Sequence, residues 1–305
     1  LMDRIFQLLD RKTFLFFLLP FAIYMVNFRE ISNGDPTPTV FVALSVLKDG
    51  DLYLDELHDY IQYNKMPYYL SEQRGHVMSN YPVVPGLMAV PVFVPAVVLD
   101  MVRPEYGDPS WRFFSKTAGS VFTALSVLVL YLTLRRLIPI SGAAVCSFAY
   151  ALGTASWPIS SQSLWQHGPS CLLWSLLLYS LVRANEKAEQ HHQKWLVLAG
   201  LVGGLAICCR LINFAAMPLV LLAVFLRWKS RGTASFLACF LFVLILLFSY
   251  NFYFFGTWNG GLAEVLQLRW FLDRVEGGVW ETPLIVGVLG NLISNAFQHT
   301  PSGGH

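Results

Sequence analysis

Long apolar runs alternate with short polar stretches along most of the chain. The first run, residues 13–28, follows a charged lead that holds Arg4, Arg11 and Lys12. Cleaner runs cover 113–134, 140–160, 168–182, 195–209, 213–226, 235–255 and 282–297. A helix of about 20 residues crosses a bilayer, so these runs predict membrane spans. Segment 80–102 is also apolar, but it carries Pro82, Pro85, Pro91 and Pro95. Proline at that density interrupts the backbone ladder that a span in lipid must complete.

One polar interval is longer than the rest. From residue 29 to 81 it holds eight of the nineteen acidic residues: Glu30, Asp35, Asp49, Asp51, Asp55, Glu56, Asp59 and Glu72. Asp35-Pro36 reads as a helix start, an acceptor at the N-cap followed by proline in the first turn. Val40, Phe41, Leu44 and Leu47 then recur at helical spacing and predict one apolar stripe. Lys48-Asp49-Gly50-Asp51 ends that helix, and a second is expected over 53–63. Both should lie along the membrane surface.

Basic loops orient the spans. Residues 183–194 and 227–231 are rich in Lys and Arg and should be cytoplasmic, as should the N-terminus and Arg135-Arg136. Asp35 and the segment 157–167 then lie on the outer face. This bookkeeping works if the proline-rich 80–102 segment dips in and returns, or if one span is misassigned.

Composition agrees with the pattern. Only 13% of residues are charged and 55% are hydrophobic, with mean hydropathy +0.52. Soluble domains carry about 25% charged residues. A net charge of +2 gives no reason to expect nucleic acid. Cys146, Cys171, Cys208, Cys209 and Cys239 sit in apolar segments without metal-ligand spacing and read as small hydrophobes. The first run lacks a small-residue cleavage site and reads as an anchor. The expectation is an all-α, polytopic transmembrane helical bundle of about eight or nine spans. It forms a single integral membrane domain, 1–305, with amphipathic surface helices in the first outer loop.

Chemistry is sought at the outer boundary. Asp35 could take a proton from an acceptor hydroxyl or hold a divalent cation, and a helix dipole would favour its ionised form. Its plain alternative is a simple helix cap. Asp49-Gly50-Asp51 has a metal-like Asp-x-Asp spacing but sits where a turn is expected. Arg74 and His76 could receive an anionic headgroup, or merely anchor the interface. Trp157, Trp165, Gln166 and His167 form an outer aromatic cluster of the kind that marks interfaces, with His167 set deeper. Arg210, flanked by apolar residues, should be paired, bound to an anion, or snorkelling. Arg269 is a weaker case of the same kind. No phosphate loop, Rossmann fingerprint, His-Glu-x-x-His pair or nucleophile elbow is present in the sequence.

Four stretches resemble a known family when taken in order. They are Ser32-Asn33-Gly34-Asp35, Gly75-His76-Val77-Met78-Ser79-Asn80-Tyr81-Pro82, Leu164-Trp165-Gln166-His167-Gly168-Pro169, and Tyr250-Asn251-Phe252-Tyr253-Phe254-Phe255-Gly256. The chain is similar to the GT-C membrane glycosyltransferases, and within them to bacterial relatives of the protein O-mannosyltransferases and aminoarabinose transferases. The resemblance implies transfer of a sugar from a polyprenyl-phosphate-linked donor to an acceptor (glycan, lipid or protein) at the outer face of a bacterial inner membrane. Asp35 matches the first-loop acid that such enzymes use as base or metal partner, although proline follows it where the family often has a second acid. Arg74, His76, His167 and Arg210 would then bind the donor phosphate, while Tyr81, Trp165 and Gln166 would line the acceptor or sugar pocket. The family also implies further spans after residues 290–294, so the chain reads as C-terminally truncated. The alternative is a transporter or flippase for a lipid-linked or amphiphilic substrate, which would also use a proline-broken segment and a membrane-edge arginine. The lack of an internal repeat counts against it.

Overall fold

The computed structural model describes residues 11–31, 34–58, 61, 66–67, 69–102, 110–186, 192–258 and 260–261. The last expected span, Arg269, and Ser32 and Asn33 of the first motif lie outside them. Helices run α1 (Arg11–Met25), α2 (Thr37–Lys48), α3 (Val84–Val98), α4 (Ser110–Leu134), α5 (Ile140–Gly153), α6 (His167–Asn185), α7 (His192–Cys209) and α8 (Met217–Phe255). Between α2 and α3 stands a hairpin of β1 (Leu70–Gln73) and β2 (His76–Ser79). Residues Ser110–Leu134, His192–Cys209 and Leu211–Phe255 are long and apolar enough to cross a membrane, which makes this an integral membrane protein.

Contacts at the helix ends fix the relative direction of α1 and α4. Arg135, just after α4, donates to Thr13 near the start of α1, while Ser115 near the start of α4 donates to Glu30 beyond the end of α1. The two helices are therefore antiparallel, and the chain between them returns to the end it left. Segment 80–102 makes no net crossing. It forms one helix, α3, whose buried face is Pro85, Gly86, Ala89, Phe93 and Ala96. Pro91 and Pro95 lie on the exposed face, where the carbonyls they free are not sealed in a core. Gly86 meets the Thr39 carbonyl of α2, where a Cβ would come within 2.7 Å, and the side chain of Lys48 at the far end of α2 donates to Val102. The two helices run side by side in the same direction.

Burial of α2 goes beyond the single stripe expected. Every residue from Thr37 to Ser45 is buried, because α3 covers one side and the hairpin and α4 cover others. Removing Phe41 from water is worth about 1.5–3 kcal/mol. The second loop helix is a 3-10 turn at Asp55–Leu57, and most of its expected continuation is not among the described residues. The hairpin is new. Arg74 and Gly75 have φ of 56° and 83°, the two positive values that a tight two-residue hairpin needs.

The other expected spans match helices closely, with two changes. Residues 156–160 form a π turn rather than the end of α5. The pair 213–226 and 235–255 appears as a single α8, broken at Lys229, whose φ of 57° and ψ of −158° are not helical. Arg227 before the break reaches Asn185 at the end of α6, and Gln193 at the start of α7 reaches Ser235 after it. Both halves therefore meet at the end of the bundle that carries Arg135, Arg136 and Arg183.

Candidate functional site

At the bundle end opposite the basic loops, three parts of the chain converge. The first is the segment that leaves α1 for α2. Thr37 donates to the Gly34 carbonyl, and Gly34 adopts a φ of 100° with Tyr69 beside it. Pro36, not Asp35, holds the N-cap position, and it makes no side-chain cap bond. Asp35 is half-buried one residue earlier.

The second part is the turn between α7 and α8. Arg210 is extended (φ −155°) and begins a 3-10 turn, Leu211–Ala216. Asn213 locks this turn to α6: it donates to Ser170 at 2.9 Å and to the Ala206 carbonyl at 2.7 Å, and it accepts from Trp174 at 3.0 Å. Asn213 entered the sequence reading only as a span boundary. Arg210 Nη1 lies 3.0 Å from His167 Nδ1 at the start of α6. Arginine has no acceptor, so Nδ1 accepts, the imidazole is neutral, and the ring proton sits on Nε2. The pair therefore offers a guanidinium and an N–H donor together. The first turn of α3 links these two parts. Gly86 touches α2, and Val84 and Met88 pack into the apolar cluster that contains Cys208 and Cys209.

The third part is the segment 156–166. Trp165 lies 6.0 Å from His167 by ring centroids, and the Gln166 carbonyl faces the Cys209 thiol at 3.6 Å. Trp157 is exposed, as an interface residue would be. The segment is held against α4 by Lys116, which is fully buried and donates to the Ser161 carbonyl (3.0 Å) and to Gln162 Oε1 (2.8 Å). Neither Lys116 nor Gln162 was singled out from the sequence, because their 46-residue separation leaves no local signal.

His76 and Arg74 are placed elsewhere. Arg74 is exposed in the hairpin turn. His76 Nδ1 is 2.7 Å from Asp55 Oδ2, Asp55 Oδ1 accepts from the Val77 N–H at 2.8 Å, and the imidazole stacks on Tyr53 at 3.9 Å. His76 is thus held by a carboxylate in the long loop between α1 and α3, and among the described residues no hydrogen bond or ring contact joins either residue to the Arg210–His167 pair. Partial burial would push the Asp55 carboxyl up, but the bonds from His76 and Val77 and the nearby imidazoles outweigh it and hold the group below its usual range. Its neighbour Glu56 goes the other way, pushed up to about 8 by burial and by the charges of Asp49, Asp51 and Asp55. Asp49-Gly50-Asp51 is a turn, with Asp51 accepting from Ser45 and from the Tyr53 N–H. Tyr81 is half-buried after the hairpin, its N–H bonded to Ser79. Phe254 of the fourth motif packs on Tyr53 at 5.7 Å, which joins the end of α8 to this loop.

Among the described residues, no three His, Cys, Asp or Glu side chains converge to hold a metal ion.

Comparison with known proteins adds to this geometry. Residues 113–254 match the family described as dolichyl-phosphate-mannose-protein mannosyltransferase. No curated protein matches the chain. Among solved structures, the chain is similar to the archaeal oligosaccharyltransferase AglB from Archaeoglobus fulgidus, in complex with an inhibitory peptide and a dolichol-phosphate. The TM-score is 0.50 at 13% identity, over 94% of this chain and 37% of AglB, so this chain spans little more than a third of that protein's length. The matched segment contains the third sequence motif and most of the fourth, and the likeness to AglB is one of fold: the chain carries a GT-C fold.

Proposed function

We propose that the protein transfers a sugar from a polyprenyl-phosphate-linked donor to an acceptor hydroxyl at the outer face of the membrane, with its N-terminus in the cytoplasm. The observation that carries this reading is the Arg210–His167 pair. It is set in the bundle end away from the basic loops, and α3 links it to the segment that bears Asp35. A half-buried guanidinium is costly to hold without an anion or a strong acceptor, and a neutral imidazole is only a partial answer. A phosphate oxygen would complete it. The matched family is described by a dolichyl-phosphate sugar donor, and AglB is recorded with a dolichol-phosphate.

In this mechanism Asp35 accepts the proton of the acceptor hydroxyl as its oxygen attacks the anomeric carbon. The bond from that carbon to the phosphate oxygen breaks, and charge grows on the leaving polyprenyl phosphate. Arg210 and the His167 Nε2–H stabilise that charge, and preorganised donors of this kind lower a barrier by about 2.7–4 kcal/mol each. Trp165 and Gln166 lie next to this pair and suit the sugar side of the pocket.

Membranes from cells making the full-length protein, supplied with a radiolabelled polyprenyl-phosphate sugar, test the reading directly. Wild type should transfer label and Asp35→Asn, at equal protein level, should not. Equal transfer by both removes Asp35 from the mechanism, and no transfer by wild type across several donors removes the enzyme reading.

A further inference from the structure

The buried polar group around Lys116 touches both halves of the proposed site. Lys116 holds the Ser161 carbonyl and Gln162 Oε1, and Ser120 adds a second bond to that carbonyl at 3.0 Å. On the same face of α4, Ser115 donates to Glu30 and accepts from the Leu164 N–H at 3.1 Å. Ser163 also donates to Glu30. Gln162 reaches back to the loop after α1, where its carbonyl accepts from the Ile31 N–H at 3.2 Å and its Oε1 lies 3.3 Å from Asn27 Nδ2. Gly119, between these side chains, lets the backbone of Ser163 lie so close that a Cβ would meet its carbonyl oxygen at 2.2 Å.

Two short chain segments leave this knot. One leads from Glu30 to Asp35, the other from Leu164 to His167. We infer that Glu30, Lys116 and Gln162 are positioning residues that set the distance between the proton acceptor and the phosphate-binding pair. This rests on the reading of those two groups given above. None of the three touches substrate. They act by clamping both segments to one turn of α4, and a misplacement of about 1 Å in such a site costs on the order of 100-fold in rate.

Lys116→Met removes the donor at nearly constant volume. It leaves Ser120 on the Ser161 carbonyl and Asn27 on Gln162, so the fold has a route to survive. In purified full-length protein, Lys116→Met should exchange amide hydrogens faster in both 34–37 and 161–167, with the rest of the chain unchanged. Transfer should fall about 10- to 100-fold, mainly in kcat. Glu30→Gln, which still accepts from Ser115 and Ser163, should keep most transfer, while Glu30→Ala should not. Unchanged exchange in those two segments in folded Lys116→Met overturns the inference, as does a full rate of transfer. If Lys116→Met fails to fold, Glu30→Ala is read by the same exchange measurement, with the same two results. If wild type transfers nothing, the sugar-transfer reading falls, and exchange still decides whether the clamp exists.

Discussion

The two ends of the bundle treat their cations differently. At the basic end, Arg136 and Arg183 meet Glu186, and Arg135, Arg136, Arg183, Lys194 and Arg227 lie over Tyr131, Tyr179, Trp195 or Trp228. These are carboxylate and ring partners, the usual dress of an interfacial charge. At the other end, Lys116 is held by a carbonyl and an amide oxygen, and Arg210 by an imidazole. Neutral acceptors leave positive charge available, whereas carboxylates cancel it. In the proposed reading this leaves the charge of Arg210 for the donor phosphate, while Lys116 serves the clamp and Arg112, at the same end, lies over Trp111.

The largest break in this contrast should come from Arg210→Ala. Transfer is expected to drop by about 100- to 1000-fold, the scale of losing one transition-state donor, while Arg136→Ala leaves kcat near wild type. A radiolabel assay on both variants at equal expression decides it. His167→Ala should cost less, and the double variant should lose less than the product of the two, because the residues act as one unit.

Next in size is Gly119→Ala. A methyl group 2.2 Å from the Ser163 carbonyl oxygen forces backbone apart, for about 1–3 kcal/mol of destabilisation. Gly142→Ala, whose Cβ would meet Ile138 Cδ1 at an ordinary 3.5 Å, should be close to neutral. Melting in detergent compares them.

A pH series sharpens the picture of the acidic loop. Glu56 Oε1 is buried with no hydrogen-bond partner among the described residues, and its carboxyl is pushed up to about 8 by burial and then by Asp49, Asp51 and Asp55. The stability that protonated Glu56 contributes is fully present below the ordinary carboxylate range and is lost as pH rises toward about 8. Glu56→Gln should flatten that part of the stability curve. Asp55 has the opposite sign: its contribution is present above the ordinary range and is lost as pH falls through its depressed value.

The smallest effect belongs to Arg136→Ala, at about 1 kcal/mol or less of stability, since the ion pair it breaks is partly open to solvent.

Hydropathy and basic loops were enough to read most of the bundle, because lipid demands long apolar helices and the charges mark one end. They also framed the puzzle of segment 80–102, which only the antiparallel pairing of α1 with α4 resolves. Arg210 and His167 could be suspected one at a time from their apolar settings, but their pairing joins residues 43 apart. Arg74 and His76 looked equivalent to them in sequence, but their local settings differ. The Arg74-Gly75 turn and the Asp55 carboxylate, 21 residues before His76, divert them into the loop. The clamp was invisible for a related reason. Serines, one lysine and a glutamine carry no spacing rule until α4 aligns them.

Because the chain leaves α1 and re-enters at α4 from the same end, the intervening stretch is topologically neutral. Any replacement that starts and finishes on that side leaves the direction of each later helix as it was. Evolution can therefore exchange this stretch as a cassette, changing that side of the molecule while the helices behind it keep their orientation. The family match begins at residue 113, just after the stretch closes.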